Sequence, residues 1–163
     1  MLLDGYDTAQ ICQNGHVVTD MAQSLPQCQE RFCGKCGEPT LMECPHCRSR
    51  IRGRYDVFGF PRMLDYDRPS FCYACGRPYP WTDRALRAAE ELIGQDGGLT
   101  PGEIGRFSVD LAEVVRDTPQ ATASASRVKS ALGKVAAGTA AAVRDVLIDL
   151  VSESVRKLIW PGG

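Results

Sequence analysis

The sequence predicts a small α+β protein in which two consecutive zinc ribbons, made of short antiparallel strands and knuckles, precede an α-helical C-terminal region. Two observations predict this fold class. All eight cysteines lie between Cys12 and Cys75, and the residues after position 82 are rich in Ala, Val, Leu and Ser with helical periodicity. We therefore predict a ribbon region at residues 1–82, with ribbons at about 6–40 and 41–80, and a helical region at residues 83–163 with about four helices.

Composition narrows the class of protein before any motif is considered. The net charge of −1 excludes a globally basic nucleic-acid coat protein, and 44% hydrophobic residues are typical of a packed fold. The first ten residues lack the basic and apolar regions of a signal peptide, and no run of 18 apolar residues could span a membrane. We expect a cytoplasmic protein.

Eight candidate metal ligands occur as four closely spaced pairs. One pair has the spacing Cys-x-x-x-His and three have the spacing Cys-x-x-Cys, which lets two thiolates approach one metal from a tight turn. The ligands are Cys12, His16, Cys33, Cys36, Cys44, Cys47, Cys72 and Cys75. Two pairs supply the four ligands of a tetrahedral structural zinc, so the sequence predicts two Zn²⁺ ions. Disulfides would close very small loops, and the histidine favours zinc over an iron–sulfur cluster.

The sequence allows two ways of assigning the four ligand pairs to two metal ions. Sequential pairing gives two consecutive ribbons, whereas a cross-brace joins the first pair to the third and the second to the fourth, as in RING domains. The seven residues between Cys36 and Cys44 suit a turn between two modules and favour sequential pairing. Cys28 has no partner two or three residues away, and His46 lies inside a knuckle between Pro45 and Cys47, so we expect neither to bind metal. They are the replacements if Cys12 or His16 does not bind.

The helical region carries start and stop signals in order. Thr82 or Asp83 is the predicted cap of a first helix that ends at Gly94. Thr100-Pro101-Gly102-Glu103 reads as a capping box for the second. From Ala121 to Trp160 the pattern is helical, with a predicted break near Gly138 and Thr139 as the cap of the last helix.

The ligand pairs and their neighbours resemble a bacterial family catalogued as domain of unknown function 2321. The resemblance rests on non-ligand residues as well, including Asn14-Gly15 and the run Pro78-Tyr79-Pro80-Trp81-Thr82. It implies a double zinc ribbon followed by a helical tail in a bacterial cytoplasm. The family implies no activity.

Three surfaces are candidates for contact with a partner. Arg48, Arg50, Arg52 and Arg54 alternate along the chain, so a strand there would present all four on one face, to nucleic acid, to an acidic protein or to solvent. Tyr79 and Trp81 precede the first helix and either seat it or form an aromatic recognition surface. Small residues within 139–160 suit self-association through the last helix.

The function predicted from these features is not enzymatic. A metal with four protein ligands has no open position for substrate, and no nucleophile or phosphate-binding motif stands elsewhere. We predict a zinc-ribbon adaptor or regulatory module that contacts another protein and self-associates through its C-terminal helix. The alternatives are a nucleic-acid-binding regulator using the arginines, a RING-like ligase component, and a helical effector of a bacterial defence system.

Overall fold

The predicted α+β class is confirmed by a computed structural model, which describes residues 5–56 and 65–162. The chain divides into two compact units, Met1–Asp83 and Arg84–Gly163. The described strands all lie in the first unit, together with a 3-10 helix at Pro26–Cys28. The strands are β1 Gly5–Thr8, β2 Gln10–Cys12, β3 Val17–Thr19, β4 Thr40–Leu41 and β5 Arg52–Asp56.

The strands form two small antiparallel sheets. β2 lies between β3 and β4, and Ile11 is the Cα partner of both Val17 and Leu41. β1 pairs with β5, so the segment that follows the third ligand pair returns to the start of the chain. The two ribbons therefore share a sheet and are not independent modules.

A hydrophobic core in the first unit joins the two ribbons. Its buried members include Ile11 from the first ribbon and Ile51 from the second. Tyr79 and Trp81 are 1% and 2% exposed, and their rings stack with centroids 4.6 Å apart. The Trp81 Nε1–H group donates to the carbonyl of Pro69 at 2.9 Å, so the buried indole has a hydrogen-bond partner.

This burial corrects one prediction. Tyr79 and Trp81 cannot form an exposed recognition surface, because the ribbon core covers both side chains. Residues Pro78–Trp81 instead lead from the last knuckle into the first helix, and Tyr79 and Trp81 belong to the ribbon core.

Five α-helices follow within the described residues, where the sequence predicts about four. They are α1 Pro80–Asp96, α2 Pro101–Val115, α3 Ala121–Leu132, α4 Ala137–Leu147 and α5 Glu153–Ile159. α1 begins at Pro80, before the predicted caps. The Thr82 hydroxyl donates to the carbonyl of Ser70 at 2.8 Å and does not cap the helix. α1 also continues past Gly94 to Asp96.

The capping box of α2 is confirmed. The Thr100 hydroxyl accepts from the Glu103 N–H at 3.3 Å, and the Glu103 carboxylate accepts from the Thr100 N–H at 2.8 Å. This exchange satisfies two N–H groups that have no partner within the helix.

The boundaries of the later helices differ from the prediction. The break lies between Leu132 and Ala137, near Gly138 as predicted, but Thr139 is not a cap: its hydroxyl donates to the Asp96 carboxylate at 2.6 Å. The predicted last helix is two helices, because Ser152 caps a new one by accepting from the Val155 N–H.

The segment 139–160 uses its apolar side chains inside the helical unit. Its buried members are Val143, Leu147, Leu150, Val151, Val155 and Ile159, whereas Leu158 is 42% exposed. The buried side chains are not available to a second copy of the chain. Among the described residues, no helix combines the length and apolar content needed to cross a membrane.

Candidate metal centres

The three Cys-x-x-Cys pairs have the same local structure. In the first, the Cys33 N–H donates to the Glu38 carbonyl at 2.8 Å, and the Gly37 N–H donates back to the Cys33 carbonyl at 2.8 Å. Cys44 and Cys72 make the equivalent hydrogen bonds with the residues four and five positions later. A bridge from the residue before the first cysteine closes each knuckle, as between Phe32 and Pro39. The sequence spacing thus specifies a small hairpin that presents two thiols on one side.

The Cys12–His16 pair is held by the turn between β2 and β3. The Cys12 N–H donates to the His16 carbonyl at 3.0 Å, and the Gly15 N–H donates to the Cys12 carbonyl at 2.8 Å. Gly15 has a φ of 86°, and its carbonyl accepts a hydrogen bond from Arg68. The turn predicted at Asn14-Gly15 is therefore present, and it places His16 beside Cys12.

The fold brings all eight predicted ligands into two groups. Within each group the ligand atoms lie within 4.8 Å of one another. The first group is Cys12, His16, Cys33 and Cys36; the second is Cys44, Cys47, Cys72 and Cys75. This is the sequential pairing. The cross-brace does not occur, which removes the basis of the RING-like hypothesis.

The distances inside each group match a tetrahedral metal site. The Sγ atoms of Cys44 and Cys75 are 3.8 Å apart, and those of Cys47 and Cys72 are 3.6 Å apart. Metal–sulfur bonds of about 2.3 Å place two tetrahedral ligands about 3.8 Å apart. A disulfide would need about 2.05 Å. The thiols are thus spaced to share an ion.

The histidine satisfies the same test. Its Nδ1 atom lies 3.5 Å from the Sγ of Cys12 and 3.7 Å from the Sγ of Cys33. A zinc–nitrogen bond of about 2.0 Å and a zinc–sulfur bond of about 2.3 Å predict a separation of about 3.5 Å. The donor atom of His16 is therefore Nδ1, and both groups could hold a metal ion.

The family assignment rests on most of the chain and not only on the metal ligands. Residues 5–159 match the model of a family described as "Uncharacterized protein conserved in bacteria (DUF2321)". The chain belongs to this family. The match confirms the resemblance seen in the ligand pairs, and it includes the helical unit. No curated protein and no solved structure matches the chain.

In this DUF2321 chain, one exposed cysteine of each group has a low pKa. The pKa of Cys36 is lowered to about 6, chiefly because the Glu38 backbone N–H hydrogen bonds to its sulfur. The pKa of Cys47 is lowered to about 6 by hydrogen bonds from the side chain and the backbone of Ser49. Each group therefore has a thiolate near neutral pH, the form that binds metal.

One thiol of the second group, that of Cys75, resists ionisation. The Arg77 backbone N–H lowers the pKa of Cys75, but burial and the neighbouring thiols outweigh it and raise that pKa to about 11. Crowded thiols cannot all ionise without a cation between them. A divalent ion in this position would relieve the repulsion, and its binding would release protons.

The two residues predicted to stay outside the sites do lie outside both groups. Cys28 is exposed at the end of the 3-10 helix. The His46 Nδ1 atom is 3.1 Å from Nη1 of Arg77, so its ring is held by the arginine of the neighbouring knuckle.

The four arginines do not lie along one strand. Arg48 lies at the turn of the Cys44–Cys47 knuckle and Arg50 on its returning segment, and β5 begins only at Arg52. Arg48 pairs with Glu43 at 3.4 Å, and Arg54 pairs with Asp20 at 2.6 Å. The Arg50 Nη1 group donates to the Gln23 side chain at 2.9 Å. These arginine side chains therefore have separate partners and do not form the single face that their alternation predicted.

The structure also contains an exposed aromatic surface that was not predicted from the sequence. Tyr6, Tyr55 and Tyr73 are each about half exposed, at 53%, 54% and 54%. The Arg52 guanidinium lies 3.8 Å from the centroid of the Tyr73 ring and 4.6 Å from that of Tyr6. The Tyr6 and Tyr55 rings meet edge to face at 4.9 Å. We call these four residues the aromatic ladder.

No local signal in the sequence marks the aromatic ladder. Tyr6 and Tyr55 become neighbours only through the pairing of β1 with β5, and Tyr73 arrives from the fourth ligand pair. The three tyrosines come from segments far apart in the chain, where periodicity carries no information about contact.

Proposed function

We propose that this protein is a non-catalytic interaction module whose ribbon unit is held by two zinc ions. Seven thiols and one imidazole form the two donor sets, and such tetrahedral sulfur and nitrogen sites favour zinc. Four protein ligands for each ion leave no coordination position for water or substrate. The zinc ions are therefore structural.

The ribbon unit needs such ions because its strands are short. Its described strands of two to five residues and its small core cannot supply the stability of a larger domain. Metal binding adds its free energy directly to folding. Zinc would thus fix the knuckles and whatever surface they carry.

The aromatic ladder is the observation that carries the interaction role. Half-exposed tyrosines grouped around an arginine are the composition of interface hot spots, since these side chains bury much area with few rotatable bonds. The partner that we propose is a protein, because a polyanion meets unfavourable charge. Residues 1–82 are neutral by formal count, and seven thiolates with two Zn²⁺ bring them to about −3.

Site-specific photo-crosslinking in bacterial cells tests this proposal. A crosslinking phenylalanine analogue replaces Tyr55 in the aromatic ladder, and Val109 on α2, which is 65% exposed, provides the control position. We expect a discrete protein adduct from position 55 that survives nuclease and is absent from position 109. Adducts to nucleic acid, or the same adducts from both positions, would contradict the proposal.

A further inference from the structure

The aromatic ladder is held in place from both sides. Tyr6 and Tyr55 are direct Cα partners across β1 and β5, which fixes the spacing of their rings. The Tyr66 hydroxyl donates to the Arg52 carbonyl at 2.6 Å and fixes the backbone from which the guanidinium projects. Tyr73 follows the ligand Cys72, so the second metal site positions its ring. The ladder is therefore a preorganised surface.

The exposed parts of the three rings suit a segment that offers flat apolar groups. The planes of Tyr6 and Tyr55 are inclined at 69°, so the edge of one ring packs against the face of the other. The Arg52 guanidinium lies over Tyr73 and Tyr6 and joins the two rings. The three rings and the guanidinium thus form one connected surface, on which each tyrosine is about half exposed.

We infer that the aromatic ladder binds a proline-rich segment in the polyproline II conformation. This inference rests on the proposed function and names the chemistry of its partner. Proline rings pack against aromatic faces, and a polyproline II backbone has no internal hydrogen bonds, so its carbonyls are free to accept from tyrosine hydroxyls. The segment is already extended before it binds, which lowers the entropic cost.

Charge favours a proline-rich segment over single-stranded nucleic acid, which is also an extended chain that stacks on aromatic rings. Single-stranded nucleic acid also uses tyrosine and arginine, but it needs a positively charged groove. The zinc-bound ribbon region has a charge of about −3, and Arg54, the next arginine of β5, is paired with Asp20. An uncharged proline-rich segment, or one with basic flanks, meets no such repulsion.

An array of proline-rich peptides of about ten residues, probed with the zinc-loaded full chain, tests the inference. We expect binding to a subset of the peptides, with affinity that depends little on salt. Tyr6→Ala and Tyr73→Ala should each weaken it about tenfold or more. The matched control is Phe32→Ala, on the Cys33–Cys36 knuckle, where the ring is 57% exposed and lies outside the ladder. All three variants should retain two zinc ions.

Three results would overturn the inference. They are no binding to any peptide by protein that holds two zinc ions, binding that Tyr6→Ala leaves unchanged, and binding of oligothymidylate that Tyr6→Ala removes. Failure on the array leaves the proposed function intact if position 55 still yields a protein adduct. Loss of that adduct as well would reject both.

Discussion

Arg48 has a φ of 64° and occupies the position in its knuckle that Gly37, with a φ of 75°, occupies in the preceding one. Each donates its backbone N–H to the carbonyl of the first cysteine of its pair, at 2.9 and 2.8 Å. The fourth pair also uses a glycine there, Gly76, with a φ of 70°. One knuckle of the three thus places a side chain in a left-handed conformation that glycine adopts without cost.

Arg48→Gly should stabilise the zinc-loaded protein by about 0.5 to 1 kcal/mol. A left-handed conformation costs an L-residue about 1–2 kcal/mol. Against this gain stand the exposed ion pair with Glu43, worth less than about 1 kcal/mol, and the greater freedom of glycine in the unfolded chain. Thermal unfolding at a fixed free zinc concentration measures the difference. The reciprocal variant Gly37→Arg should lower stability, and the same sign for both would reject the argument.

Gly15→Ala should destabilise the first metal site more than Gly37→Ala. Both glycines have positive φ, so both substitutions carry the left-handed cost of about 1–2 kcal/mol. A Cβ at position 15 would also lie 2.8 Å from the Cβ of Trp81 and would press against Arg68, whereas position 37 has nothing within 4 Å. Zinc affinity, measured by competition with a chelator, should fall in the first variant by the larger factor. Equal losses would show that the contact with Trp81 relaxes freely.

Cys33→Ser and Cys72→Ser should each reduce the bound metal from two ions to one. Each removes a buried ligand from a different group, and three remaining ligands hold zinc much more weakly than four. Cys28→Ser is the matched control, because Cys28 is exposed and lies outside both groups. Native mass spectrometry counts the ions directly. Two ions retained at full stability in either ligand variant would contradict the assignment.

Asp110→Asn should destabilise the helical unit at neutral pH by about 1–2 kcal/mol. The Asp110 carboxylate accepts from Arg127 at 2.6 and 2.9 Å, and this pairing holds its pKa below 3.8. A lowered carboxyl pKa stabilises the fold above its unfolded value, so the contribution disappears as the pH falls below 3.8. The figure is modest because the Arg127 side chain is 57% exposed.

Far-UV circular dichroism during denaturation measures that difference, with Asp145→Asn on α4 as the control. Asp145 is exposed, so its substitution should leave the midpoint unchanged. The gap between wild type and Asp110→Asn should close in acid. A gap that persists well below pH 3.8 would show that the asparagine acts through packing and not through its charge.

The sequence by itself determined the features whose chemistry is local. The eight ligands, the turn at Gly15 and the capping box at Thr100 each depend on residues within a few positions of one another. The spacing after Cys36 also favoured the sequential pairing that the ligand groups show.

Tertiary structure decided which side chains are exposed and which meet across the chain. Tyr79 and Tyr55 are the same residue type, yet the core buries Tyr79, whereas the β1–β5 pairing leaves Tyr55 half exposed. The four arginines alternate in the sequence as residues on one face of a strand do, but the Cys44–Cys47 knuckle turns at Arg48 before β5 begins. Local patterns specify ligands and helix starts because those interactions close within a turn. Burial and strand pairing depend on free energy gained between distant segments, which no local window of the sequence contains.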